Sequence, residues 1–413
     1  MSKPRPTHAP ATIARFEVIN DCLQIGGMAL TRLAQRVGST PFYACDRSHL
    51  NSRVALLRHH LPPMIQLHYA MKANPMPTIV QHLASLVDGI DVASGMEMKG
   101  ALDAGMKPAC ISFAGPGKND RELACAIAAG IVINLESAQE MARIAGIGTA
   151  LGIRPIVAVR VNPDFELKAS GMKMGGGPKQ FGVDAEEVPA LLKQLHTLAL
   201  DFEGFHIYSG SQNLDAAAIG EAQEKTFALA IRLAADAPGP VRTLNIGGGF
   251  GVPYFPGQAP LDIAAVGARL HGMMQGVGQA LPGTRIVIEL GRYLVAEAGM
   301  YVCRVVERKV SRGKVYLVTD GGLHHHLAAS GNFGQVIRKN YPVVIGNRMY
   351  KGARETATVI GPLCTPLDVL ADELEMAMGE VGDLVVVLQS GAYGLSASPV
   401  GFLSHPAALE VLV

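Results

Sequence analysis

Between residues 64 and 290 the chain alternates short apolar runs with longer stretches of helical periodicity. The runs fall at 65–70, 90–93, 111–114, 131–134, 156–161, 202–207, 243–246 and 286–290. Segments 76–86, 95–104, 119–129, 138–145, 185–195, 216–235 and 261–281 separate them and read as helices. Parallel strands covered on both faces show as unbroken Val, Ile and Leu runs, and these read that way. Eight strands, each but the last followed by a helix, in about 230 residues predict a parallel (β/α)8 barrel. Beyond 290 the texture changes. Runs 295–309, 314–319, 356–360 and 384–388 look like strands without long helices between them, with turns at Arg312-Gly313 and Gly382-Asp383. A second, mostly β domain, sandwich or barrel, is expected there, joined by the segment 16–25. The expected division is a disordered lead at 1–15, an N-terminal piece of the β domain at 16–40, the barrel at 41–290 and the β domain at 291–413.

Composition agrees with two domains: 413 residues, 49% hydrophobic and 17% charged, suffice for a large core. Lysine plus arginine, 36, nearly cancels aspartate plus glutamate, 35, so no field for nucleic acid is implied. No run approaches the ~20 apolar residues that cross a bilayer. The lead, with Lys3, Arg5 and Arg15, lacks the apolar centre of a signal peptide. The six cysteines are scattered without metal spacing, which together with the missing signal predicts a soluble, cytoplasmic protein with reduced thiols.

Chemistry concentrates where the predicted strands end. Lys72 follows the first run, in His68-Tyr69-Ala70-Met71-Lys72-Ala73-Asn74-Pro75. A lysine leaving a buried strand is expected to lose solvation, which favours the neutral amine that forms a Schiff base with an aldehyde cofactor. Pro75 closes that strand and Pro77 opens the helix after it. Asp91 and Ser94 end the second run, as a polar layer or, for Asp91, as a helix cap. His206 and Ser209 end the sixth; the imidazole could lie on an aromatic cofactor or be a satisfied core residue. Gly247, Gly248 and Gly249 follow the seventh, where backbone N–H groups can crowd round an anion or simply make a tight turn. The spacing is not that of a dinucleotide fingerprint. Glu289 ends the eighth, followed by Gly291 and Arg292. A carboxylate buried there needs a cationic or donor partner, either a protonated pyridine nitrogen or Arg292 itself.

These segments resemble the pyridoxal-phosphate decarboxylases of fold type III, the ornithine/diaminopimelate/arginine decarboxylase group, over residues 40–413. The likeness rests on Tyr69-Ala70-Met71-Lys72-Ala73-Asn74, Asp91-Val92-Ala93-Ser94, His206 with Ser209, Gly247-Gly248-Gly249-Phe250 and Glu289-Leu290-Gly291-Arg292. It continues through Asp320-Gly321-Gly322, Gly361-Pro362-Leu363-Cys364 with Asp368, and Gly391-Ala392-Tyr393-Gly394. The resemblance implies pyridoxal 5'-phosphate on Lys72, His206 against its ring and Glu289 at its ring nitrogen. Asp91, Ser94, Ser209, the three glycines, Gly291, Arg292 and Tyr393 would complete the cofactor site. Cys364 would protonate the substrate carbon from the partner subunit of a homodimer with composite sites. Arg292, Thr365, Asp368 and Tyr393 would face the substrate.

The chain departs from the family pattern at the substrate's far end. Relatives that grip a distal amine follow the cysteine with an acid, whereas Thr365-Pro366 stand here. The arginine clamp of the diaminopimelate enzymes is replaced by His324-His325-His326-Leu327-Ala328-Ala329. That stretch resembles a side branch found in exosortase-linked loci, some of whose members decarboxylate an amino acid held on a carrier protein. A small amino acid or an aminoacyl carrier protein is therefore the expected partner. Alternatives are a true meso-diaminopimelate decarboxylase, a racemase of the same fold, or a non-catalytic pyridoxal-phosphate regulator. The three histidines read as a pocket rim or solvated turn rather than a metal site, because in a strand only His324 and His326 share a face.

Overall fold

In the computed structural model, which describes residues 15–166, 172–173, 175–333, 335 and 338–413, eight parallel strands close on themselves. They are β1 (Ile65–Ala70), β2 (Gly89–Val92), β3 (Ile111–Phe113), β4 (Val132–Leu135), β5 (Ile156–Asn162), β6 (Asp201–Ile207), β7 (Thr243–Gly248) and β8 (Arg285–Leu290). Each pairs with the next, β4 pairs with β5, and β8 returns to β1 with Leu290 opposite Tyr69. Helices alternate with them: α1 (Pro77–Ala84), α2 (Gly95–Asp103), α3 (Asp120–Ala129), α4 (Ala138–Leu151), α5 (Val188–His196), α6 (Ala216–Ala234) and α7 (Ile263–Ala280). Polar caps fix where several begin. Ser94, Asn119, Ser137, Asp215 and Asp262 each accept a backbone N–H of the first turn, and Pro77 opens α1.

The strands are not apolar throughout, as their sequence suggested. In β1, Ile65, Leu67 and Tyr69 are buried, while Gln66 and His68 line a cavity of about 70 Å³. Ser112, Asn134, Thr243 and Asn245 line the same cavity. A water molecule needs about 10–15 Å³ on that measure, so the space suits a few waters among polar walls. The inward set was hidden in the sequence because it occupies every second position among strong β-formers.

The second compact unit takes in the chain up to Asn51, Pro253–Ala259 and Leu294–Val413, and the barrel unit Ser52–Val252 with Pro260–Tyr293. The strand Phe42–Cys45, counted with the barrel from sequence, belongs instead to this unit, pairing with Gly299–Ser311 and Leu409–Leu412. Its mixed, nearly closed sheet runs Val343–Ile345, Leu384–Val387, Gly299–Ser311, Lys314–Thr319, Arg354–Ile360, Val369–Ala377. The run expected at 295–309 starts with a short helix, Arg292–Val295, and a 3-10 turn, Ala296–Ala298. Arg312-Gly313 makes the anticipated two-residue hairpin, both residues at positive φ, with Ser311 opposite Lys314. Leu23, Ile25, Leu30, Phe42, Met300 and Val386 centre its core. Each is worth about 2 kcal/mol of burial. The lead expected at 1–15 lies, apart from Arg15, outside the described residues. Among the described residues no helix is long and apolar enough to cross a membrane.

Candidate active site

β1 runs into a single 3-10 turn, Met71–Ala73, and Tyr69 Oη pins the turn by donating to Asn74 O at 2.7 Å. Met71 and Ala73 are buried and Lys72 between them is exposed. The desolvation expected of Lys72 from its strand is therefore absent; the turn carries it past the buried layer. Gly291, just after β8, packs on the same turn, where a Cβ would lie 2.9 Å from that of Ala73.

Glu289, at the inner end of β8, is buried, with His206 Nε2 3.1 Å from its Oε2 and Asn245 Nδ2 donating at 3.5 Å. His206 Nε2 makes no aligned hydrogen bond to that oxygen. Burial alone would raise the Glu289 carboxyl. His206 outweighs it, helped by Lys72 and Arg160, and holds it at about 2. Asp91 in β2 goes the other way: burial raises it against the pull of His68, whose Nδ1 is 3.3 Å from Oδ1, and Glu289 adds to the rise. Asp91 Oδ2 and His206 Nδ1 are buried without hydrogen-bond partners.

β7 ends in the three glycines. Gly247 and Gly249 have φ of 69° and 71°. A Cβ on Gly248 would collide with Glu289 O, and one on Gly249 with Gly210 O. Only bare backbone fits there, so the amides can approach an anion closely. Asn245 Oδ1 accepts from Gly247 N at 2.8 Å and sets the first of them. Ser209, after β6, is half-buried, as is Arg292, which begins the short helix after β8. Ser94 is the cap of α2, accepting from Glu97 N at 3.2 Å, so the capping role weighed for Asp91 falls to Ser94.

Five residues at this end were missed from sequence. His68 and Asn245 alternate with apolar neighbours in their strands. Glu97 accepts from Ala93 N, and its carboxyl feels Lys72. Arg160 in β5 and Glu136 after β4 form a buried ion pair of 2.7 Å. A charged residue set among Val and Ile at a strand's end was the available signal for both.

The remaining candidates lie in the β unit. Cys364 is exposed in the loop after Arg354–Ile360. Thr365 is half-buried, its carbonyl accepting from Asp368 N. Asp368 is buried and accepts from Leu323 N at 2.6 Å and Leu363 N at 2.8 Å, so both its oxygens fasten this loop to the Asp320-Gly321-Gly322 turn. The structure thereby gives Asp368 a positioning part in this loop. Tyr393 is half-buried at φ 53°, a strained conformation for a side chain of that size. His324, His325 and His326 are neither a strand nor solvated: they form a buried turn. His326 Nε2 lies 2.8 Å from Ser390 Oγ, and His325 Nε2 donates to Pro406 O at 2.8 Å. Burial pushes His326 down to about 3 and His324 to about 4. Among the described residues no cluster of three ligand side chains could hold a metal.

The barrel end thus offers an exposed amine, a low carboxylate paired with an imidazole that has an open nitrogen, and an anion cradle. That set fits an aldehyde cofactor with a basic ring and a phosphate. The family of pyridoxal-dependent decarboxylases, through its pyridoxal binding domain, matches residues 47–296. The L-glutamyl-[BtrI acyl-carrier protein] decarboxylase of Niallia circulans is 39% identical over 93% of this chain and 90% of its own. Diaminopimelate decarboxylase of Aquifex aeolicus is 32% identical over 95% and 90%. The crystal structure of diaminopimelate decarboxylase from Helicobacter pylori complexed with L-lysine superposes with a TM-score of 0.81 at 27% identity, covering 93% of this chain and 94% of that one. The chain belongs to the pyridoxal-dependent decarboxylases of fold type III. It is a carboxy-lyase that removes the α-carboxylate of an amino acid, with pyridoxal phosphate as cofactor.

Proposed function

We propose that the substrate is an amino acid whose far end is uncharged and joined to a carrier protein. The observation that carries this reading is the Cys364 loop. Its nearest acid, Asp368, spends both oxygens on backbone amides, and Thr365-Pro366 offer no charge. A distal ammonium brought there would lose water without gaining a carboxylate. The acyl-carrier substrate in the name of the 39% identical relative supports the same reading.

Bound pyridoxal phosphate supplies an aldehyde for the substrate amine and a ring that takes up electrons as carbon dioxide leaves. The chain's residues do the rest. Lys72 would hold the cofactor through its amine. The amides of Gly248 and Gly249, the turn being set by the Gly247 N–H on Asn245, would hold the phosphate with Ser209, Arg292 and Tyr393. His206 would face the ring, and Glu289, kept ionised by His206, would hold a proton on the ring nitrogen. Asp91 forms the second polar layer with Ser94 behind it. Cys364, from the partner subunit of a homodimer, delivers a proton to the α-carbon.

Carbon dioxide release from carrier-linked glutamate, compared with free ornithine, lysine and meso-diaminopimelate, tests the substrate. Carrier-linked substrate should be preferred by about 10- to 100-fold in kcat/KM, the worth of one charge-assisted hydrogen bond the diamines cannot make. Robust turnover of meso-diaminopimelate would favour that substrate instead.

A further inference from the structure

Glu136 follows β4 directly and is buried. Its Oε1 accepts from Arg160 Nη1 at 2.7 Å and from Gly115 N at 2.7 Å, and its Oε2 from Gly182 N at 2.7 Å. Three donors, one from β5 and two from loops, leave the carboxylate no freedom. Arg160, itself buried on β5, has the Phe181 ring 4.8 Å from its guanidinium carbon on another side. Lys118, also buried, is tied to Glu140 at 2.9 Å and to Gly115 O at 2.6 Å. Two cations and two anions thus balance within one cluster, and Arg160 leads from it to the cofactor end: it stands opposite His206 in the β5–β6 register, and His206 Nε2 is 3.1 Å from Glu289 Oε2. Its charge also helps keep the Glu289 carboxyl low. No ion pair joins Arg160 to Glu289, whose close cationic contact is His206.

A guanidinium set free beside a buried carboxylate pairs with it in a fork, more strongly than an imidazole can. We propose that Glu136 is a positioning residue that keeps Arg160 from capturing Glu289, so that Glu289 stays available to hold the proton on the cofactor's ring nitrogen. The inference rests on the role given to Glu289 above. Were Glu136 neutral, Arg160 would lose the ion pair it makes among the described residues, with Glu289 a buried carboxylate within its field. A Glu289 claimed by two hydrogen bonds from Arg160 is a poorer acceptor for a ring N–H. The electron-withdrawing power of the ring would then fall without any change in the residues that touch it.

The test reads the ring nitrogen itself. Holoenzyme is reconstituted with pyridoxal phosphate carrying ¹⁵N in the ring, and the nitrogen resonance reports whether it is protonated. Wild type should show the protonated position and Glu289→Gln the unprotonated one. If Glu289→Gln leaves the resonance unmoved, the role of Glu289 fails, and this inference with it. Given that control, Glu136→Gln should move the signal toward the unprotonated position and lower decarboxylation on the order of tenfold or more. The double variant Glu136→Gln/Arg160→Met should return the signal to the protonated position, because the competitor is gone. A merely structural Glu136, needed for the Gly115 and Gly182 amides, would not be rescued by removing Arg160. An unmoved signal in Glu136→Gln, or no recovery in the double variant, overturns the proposal. If Glu136→Gln does not retain cofactor, Glu136→Asp keeps the buried charge but draws it back by one methylene. It should shift the signal the same way by less, and an unmoved signal there overturns the proposal equally.

Discussion

His326 has the ring nitrogen Nε2 2.8 Å from Ser390 Oγ and takes the Ala329 N–H on Nδ1 at 3.3 Å, which fixes one neutral tautomer. Both nitrogens are satisfied only while the ring stays uncharged, and burial pushes it to about 3 from the ordinary 6.5. The unfolded chain takes up a proton below pH 6.5 that the folded chain refuses. The neutral ring's contribution is therefore complete above pH 6.5 and is lost as pH falls towards 3, at about 1.4 kcal/mol per pH unit. Denaturant unfolding of His326→Gln should lose about 2 kcal/mol less than wild type between pH 6.5 and 5. Equal steepness in both proteins would refute burial of a neutral ring as the cause. At this scale the sequence was a mixed guide. Lys72, His206, Glu289 and the glycines stood out because polar groups end apolar runs. The histidine triplet did not declare its burial, since nothing local says that Ser390 and Pro406, over sixty residues on, will close over it. Glu136 and Arg160 stayed hidden for the same reason: each makes sense only as the other's partner across two strands.

The barrel elements were legible because strand runs, capping residues and prolines agree on one alternation. Val369–Ala377 escaped notice because Asp372, Glu373 and Glu375 break its apolar run, with Glu373 at a positive φ of 45°. The glycine run was legible as an anion site or a turn, and the packing shows why no side chain is admitted. At Gly248 the obstacle is the carbonyl of Glu289, part of the neighbouring strand β8 and unable to move away without breaking the β7–β8 register. Gly248→Ala should weaken cofactor binding by at least tenfold and destabilise the apoprotein by about 1–3 kcal/mol. Titrating pyridoxal phosphate into the variant by its visible absorbance checks the first figure, and thermal unfolding without cofactor the second. Unchanged affinity would remove the cradle from the phosphate site.

For the whole molecule, a chain in two compact units puts Lys72 in one and Cys364 in the other. If a homodimer with composite sites is the working form, two-fold symmetry gives two sites, each drawing its lysine from one copy and its cysteine from the other. Mixing Lys72→Ala with Cys364→Ala, each inactive alone, should then restore activity. Random exchange makes half the dimers mixed, each with one intact site, so about a quarter of all sites become competent. No recovery after proven subunit exchange would place both residues in a site made by one chain.

The polar lining of the barrel has a consequence for how such a molecule can change over time. In β1, Ile65, Leu67 and Tyr69 meet the packing that folds the barrel, while Gln66 and His68 line the interior cavity, His68 also facing Asp91. Neighbouring letters of one strand therefore answer to different demands, one to persistence and the other to chemistry. A substitution at an inward position can revise what the interior does while leaving the packing that folds the chain in place. One scaffold can then be inherited by enzymes with different substrates at 39% and 32% identity. Half of each strand is held by folding, and half remains open to selection.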